Sequence, residues 1–145
     1  MKKFILYILL ILPVFIQAQD WKLPVITSPK FKKDTLSIVK SGAVPDGNTL
    51  NTKAINSSID NLSKKGGGVV LVPAGLWLTG PVVLKSNINL HLAVGATLLF
   101  TKDKSQYPLI EANWEGLPQM RNQSPLSATG ARNIAITGKG IIDGN

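Results

Sequence analysis

The 145-residue sequence contains no cysteine. That excludes disulfides, thiolate metal sites and a lipid-modified cysteine at a signal cleavage site. An exported chain of this kind would draw its stability from packing and backbone hydrogen bonds. Histidine occurs once, at His91. A single imidazole without a nearby Asp or Cys constellation cannot build a metal centre or a nucleophile relay, so no metal and no cofactor is expected and His91 reads as a strand-face residue. Acidic residues are scarce, 8 against 16 Lys and Arg, yet no dense Lys/Arg run with interleaved aromatics marks a nucleic-acid face. An apolar run of the ~20 residues that spans a bilayer is also absent.

What is present at the start is a different pattern. "MKKFILYILLILPVFIQAQ" has a basic opening at Lys2 and Lys3, an apolar run from Phe4 to Ile16 interrupted by Pro13, and a small residue at Ala18. This is the layout of a secretory signal peptide over residues 1–18, and it predicts a secreted or periplasmic bacterial protein with no membrane span once the signal is removed. Removal takes two lysines and leaves 14 basic against 8 acidic side chains, a moderate excess that gives solubility and suits acidic polymers. Residues 19–33, Pro-interrupted and Lys-rich, read as an extended leader.

Residues 34–145 read as one domain, with a hydrophobic fraction of 44% over the whole chain that is sufficient for a core. The first strand is expected in "DTLSIVKSGA", followed by a turn at Pro45, Asp46 and Gly47. In "NTKAINSSIDNLSKKGGG" the apolar residues Ile55, Ile59 and Leu62 fall on one helical face, with Asn51 or Thr52 available as N-cap. Lys64 and Lys65 sit where a helix ends, and Gly66 to Gly68 stop it. The glycines follow the helix instead of opening one, so they do not form a phosphate loop. "GKGIIDG" likewise has no helix after it and reads as a turn.

Strand patterns then run to the end: "VVLV" from Val69, "PVVL" from Pro81, "INLHL" from Ile88, "TLLF" from Thr97, "NIAIT" and "GIID". In "INLHL" Ile88, Leu90 and Leu92 point one way while Asn89 and His91 point the other. No second helix pattern intervenes, which argues against βαβ units, and the uneven spacing disfavours a hairpin meander but suits a solenoid with variable loops. The last two strands need partners, either earlier in the chain or not in it.

One stretch, "EANWEGLPQMRNQS", carries residues suited to chemistry within a long loop from Thr101 to Arg132. Trp114 offers a flat apolar surface of the kind that stacks on sugar rings, Arg121 can pair with a carboxylate, and Glu111 and Glu115 would share a face if the stretch were helical. The stretch allows three readings: a catalytic acid and base pair, substrate contacts by Trp114, Glu115 and Arg121, or ordinary loop residues.

From Gly42, "GAVPDGNTLNTKAINSSID" resembles the opening motif of the pectin-lyase-like β-helix superfamily, usually G-A-x-G-D-G-x-T-x-D-T-x-A-I. The ordered strings "LTGPVVLKSNINLHLAVGATLLF", "YPLIEANWEG", "SPL" and "NIAITGKGIIDGN" resemble the polygalacturonases, glycoside hydrolase family 28, over nearly all of residues 34–145. Asn51 departs from the usual Asp, and Ser127 from the usual aliphatic residue. The resemblance implies an all-β fold, a right-handed parallel β-helix with an N-terminal capping α-helix, truncated at its C-terminal end. It implies the N-terminal part of a secreted, inverting hydrolase of galacturonic-acid-containing pectin, monomeric when full length. The family's catalytic signatures (N-T-D, D-D, G-H-G, R-I-K) do not occur here, so no residue of this chain inherits a catalytic role; those residues are expected downstream of Asn145. The alternatives are a non-catalytic polysaccharide-binding β-helix of the tailspike type and a pectate lyase.

Overall fold

Ile55, Ile59 and Leu62 form the buried stripe of α1 (Thr52–Lys64), the one α-helix among the described residues, in a computed structural model that describes residues 23–145. The signal-peptide reading of residues 1–18 lies outside the described residues. Among the described residues no helix is long and apolar enough to cross a membrane. The helix ends as its glycines dictate: the Gly66 amide donates to the Ser63 carbonyl at 2.9 Å and the Gly67 amide to the Leu62 carbonyl at 2.8 Å. This pair of bonds satisfies carbonyls that the last turn would otherwise leave without partners.

Asn51 occupies the N-cap position, but its side chain does not cap the helix. It turns back instead, accepting from the Val44 amide at 2.7 Å and donating to the carbonyls of Val44, Thr49 and Leu78. Asn51 is only 2% exposed. An aspartate could accept the first bond but donate none of the others, which gives a physical reason for the amide at this position. The turn before it is ordered by Asp46, whose carboxylate accepts from the Thr49 hydroxyl and from the amides of Thr49 and Asn48. These bonds, the Thr49 hydroxyl foremost, hold its pKa down to about 2.

The strands wind into a solenoid. β1 (Thr35–Ser37), β2 (Gly68–Val72), β5 (Ile88–Leu92) and β10 (Ala135–Gly138) form one parallel sheet in that order. β3 (Gly75–Thr79), β6 (Ala96–Phe100) and β11 (Ile141–Asp143) form a second, also parallel. β4 (Val82–Val83) pairs with β9 (Leu126–Ser127) in a third. Gly68 pairs with Ile88 and Gly75 with Ala96, so the turn from β2 and β3 to β5 and β6 takes 20 to 21 residues, while the turns on either side of it carry insertions. The predicted strands in "NIAIT" and "GIID" therefore exist, but they do not pair with each other. Each finds its partner one turn earlier, in β5 and β6.

Alternation sets which residues fill the coil. Leu36, Val70, Leu90 and Ile136 are in register on the first sheet, and Trp77, Leu98 and Ile142 on the second. Val70, Leu90, Trp77 and Leu98 are almost completely buried, while Ile136 and Ile142 in the last turn are 44% and 43% exposed. The Trp77 indole N–H donates to the Pro73 carbonyl at 2.7 Å, which satisfies its polar atom inside the core. The helix lies against β2, β4 and the 3-10 turn Ile38–Ser41. Two side chains fasten it there. Thr52 Oγ1 accepts from the Gly80 amide at 2.6 Å, and Asn56 makes 2.9 Å bonds to the Val83 amide and the Pro81 carbonyl.

Three expectations change. The first strand is shorter than "DTLSIVKSGA" suggests, because Ser37 accepts from the Val39 amide and starts the 3-10 turn. β3 was not expected at all; "GLWLT" lacks a clean polar and apolar alternation. The segment Thr101 to Arg132 is not simply a loop, since it carries β9 and an antiparallel hairpin, β7 (Leu109–Trp114) and β8 (Leu117–Asn122).

Candidate functional site: the inserted hairpin

The hairpin enters the coil between β6 and β9, at the corner between the second and third sheets. Its base is fixed by polar contacts. The Tyr107 hydroxyl donates to the Thr101 carbonyl at 2.8 Å, Asn122 Nδ2 to the Tyr107 carbonyl at 3.0 Å, and the Gln123 amide to the Pro108 carbonyl at 2.8 Å. Partial burial raises the pKa of the Tyr107 phenol, keeping it a hydrogen-bond donor. Asp103 accepts from the Ser105 hydroxyl at 2.7 Å and the Ser105 amide at 3.0 Å, bonds that lower its pKa and start the 3-10 turn Lys104–Gln106.

The tip is a two-residue turn in which Glu115 (φ 50°) and Gly116 (φ 90°) both have positive φ. That is the backbone a two-residue type I′ hairpin requires. The Gly116 amide donates to Asn113 Oδ1 at 2.7 Å, which braces the turn.

Strand geometry separates the candidate residues. A helix would have put Glu111 and Glu115 on one face, but the chain here is a strand followed by a turn, so Glu111 lies within β7 and Glu115 at the tip. Ile110, Ala112 and Trp114 share one face of β7 with their partners Arg121, Gln119 and Leu117; Leu109, Glu111 and Asn113 share the other. The Arg121 guanidinium carbon lies 4.8 Å from the centroid of the Trp114 ring, a cation–π contact. Of the residues singled out in sequence, the structure thus joins Trp114 to Arg121 and sets Glu111 on the opposite face. Glu111 instead lines an open concavity of about 670 Å³ with Asn113, Pro118 and Met120.

Trp114 is 53% exposed, and Arg121 is exposed as well. An indole with one face covered by a guanidinium leaves its other face for a sugar ring, and the guanidinium fork suits a carboxylate. No cluster of three or more His, Asp or Glu side chains that could hold a metal occurs among the described residues. His91 is a strand-face residue, as expected: its Nδ1 lies 2.8 Å from Thr137 Oγ1, and that hydroxyl lies 2.9 Å from Asn89 Oδ1.

Comparison with known proteins supplies the rest. No protein-family model matches the chain. An exo-poly-α-D-galacturonosidase from Dickeya chrysanthemi is 42% identical to it over 118 residues, 76% of this chain. A hyperthermoactive exopolygalacturonase from Thermotoga maritima superposes with a TM-score of 0.76 at 36% identity, over 83% of this chain. The family 28 exopolygalacturonase of Yersinia enterocolitica gives 0.71 at 38% identity, over 79%.

In sequence and in fold the chain is similar to the family 28 polygalacturonases.

Its coil is accordingly the right-handed parallel β-helix of that family. It spans 19% of the length of the Dickeya relative, and 27% and 21% of the Thermotoga and Yersinia structures. The departure from the superfamily's opening motif at Asn51 falls on the buried amide whose three donated bonds join the turn before α1 to β3.

Proposed function

We propose that the chain serves a secreted polygalacturonase, hydrolysing glycosidic bonds in galacturonic-acid-containing pectin, and that its part is to scaffold and to hold substrate. The observation that carries this reading is the 42% identity to a galacturonosidase over most of the chain. The Dickeya, Thermotoga and Yersinia relatives act exo by name, which favours release of short products from chain ends over internal cleavage.

An inverting glycosidase needs a carboxylic acid to protonate the leaving oxygen and a carboxylate to activate water, ~6.5–9.5 Å apart. The family's signatures for those groups do not occur in this sequence, so the reading assigns them to rungs beyond Asn145. To this chain it assigns the hairpin. Trp114 stacks on a galacturonate ring while Arg121, already held against the indole, pairs with that sugar's carboxylate. Glu115, at the tip, faces sugar hydroxyls and not the carboxylate, which would repel it.

Trp114→Ala should weaken polygalacturonate binding by about 5- to 10-fold, on the order of 1 kcal/mol for an aromatic contact. Arg121→Gln should do likewise. Neither should move the thermal midpoint, because both side chains are exposed. Titration calorimetry with oligogalacturonate checks this, and an unchanged affinity in both variants would remove the hairpin from the binding surface.

A further inference from the structure

The corner that feeds the first sheet carries a cation on every turn of the coil. Thr35, Val69, Asn89 and Ala135 are in register on the four turns. Three residues before Thr35 and Ala135 stand Lys32 and Arg132; four residues before Val69 and Asn89 stand Lys65 and Lys85. All four are exposed. Contacts confirm that they share one corner. Lys32 Nζ donates to the Lys65 carbonyl at 2.9 Å, Ser63 Oγ to the Ser86 carbonyl at 3.4 Å, and the Arg132 amide to Ser86 Oγ at 3.0 Å. Lys33 and Lys64 stand beside the ladder in sequence.

Adjacent turns of a β-sheet are ~4.8 Å apart, well inside the screening length of ~8 Å at physiological salt, so these charges repel one another. The exposed carboxylate of Asp34, beside Thr35 at the same corner, offsets part of that charge. Lys85 pairs with Asp60 at 2.5 Å, the only ion pair among the described residues. Four turns extend the ladder over ~14 Å. A small anion neutralises one or two steps of such an array. A linear polymer with a regularly repeated carboxylate can follow it.

We propose that this corner is a binding track for a linear polyuronate, with Lys32, Lys65, Lys85 and Arg132 each meeting a carboxylate of the polymer. The choice of polyuronate rests on the polygalacturonase reading above. Nucleic acid fits less well, because the corner is built of Gly66, Ser86 and Asn133 beside the cations and offers no aromatic platform for bases.

The test uses the full chain carrying Trp114→Ala and Arg121→Gln, so that the hairpin does not contribute. Into it go either Lys32→Gln, Lys65→Gln, Lys85→Gln and Arg132→Gln, or a control with the same change in charge at exposed Lys40, Lys53, Lys102 and Lys104. Binding of polygalacturonate at about 50 mM salt, where screening is weak, should fall at least tenfold in the ladder variant and less than threefold in the control. An all-arginine ladder should bind as well as the original, which guards against a folding defect. Equal losses in ladder and control variants would overturn the proposal, as would tighter binding to duplex DNA or to vesicles of anionic lipid than to polygalacturonate. The readout is binding alone. A chain that binds by its ladder but belongs to a protein without pectin hydrolysis would defeat the hydrolase reading and leave the track standing.

Discussion

Ile59→Asp is expected to lower the thermal midpoint by more than ~10 °C, or to leave no cooperative transition at all. Ile59 is completely buried, in one cluster with Ile55, Leu62, Val70 and Leu90, where α1 closes the first turn of the coil. The substitution removes an aliphatic side chain worth ~2–5 kcal/mol and puts a carboxylate into a space with no partner for it. Together these effects reach a large part of the 5–15 kcal/mol that holds a typical domain folded. A midpoint within ~2 °C of the parent would mean that α1 does not seal the coil. Ile55 and Leu62 would then have to be reassigned as well.

The second large effect is expected at Gly67, where α1 hands over to β2. Its φ is 103°, and a Cβ added there would stand 2.3 Å from the Asn87 carbonyl oxygen and 2.4 Å from Asn87 Cβ, on the turn above. Asn87, itself at φ 64°, is in turn hydrogen-bonded to Asn133 on the next turn, Oδ1 to Nδ2 at 3.0 Å. A methyl group at Gly67 therefore strains its own backbone and pushes against a stacked corner that cannot yield independently. Gly67→Ala should cost ~3 kcal/mol, from ~1–2 of backbone strain and ~1–3 of overpacking. Gly116, with φ 90° and no atom within 4 Å of an added Cβ, provides the comparison. Gly116→Ala carries the strain alone, ~1–2 kcal/mol. Denaturant midpoints should rank the two in that order; equal losses would mean that stacking of the corner contributes nothing.

How much of this was legible in the sequence follows from what each residue's surroundings impose. The helix was readable because Ile55, Ile59 and Leu62 repeat at helical spacing and the glycines after Lys65 can only end it. β5 was readable because Asn89 and His91 alternate with buried Ile88, Leu90 and Leu92. β3 was hidden, since Leu76, Trp77 and Leu78 are all apolar although only Trp77 of the three is buried. The hairpin was hidden for the opposite reason. Nearly every residue of β7 and β8 is exposed, so no buried face imprinted a period of two on "LIEANW" or "LPQMRN". Its turn chemistry at Glu115 and Gly116 was the one available signal, and the helical pairing of Glu111 with Glu115 obscured it.

The candidate site divides in the same way. Trp114 and Arg121 were chosen for their chemistry, and the cation–π contact between them appears only when β8 folds back on β7. The cation ladder could not be read from spacing at all. Lys32, Lys65, Lys85 and Arg132 are separated by unequal lengths of chain, 33, 20 and 47 residues, and only the register of the parallel sheet brings them to one corner.

A chain that only scaffolds and holds substrate releases no product by itself, because the acid and base of hydrolysis lie elsewhere. Reducing ends released from polygalacturonate by the chain Met1–Asn145 test that most directly. No release above that of a protein-free control is expected, in a preparation that still binds the polymer. Clear turnover that disappears on Glu115→Gln would contradict it, because the hairpin carboxylates would then be the catalytic groups.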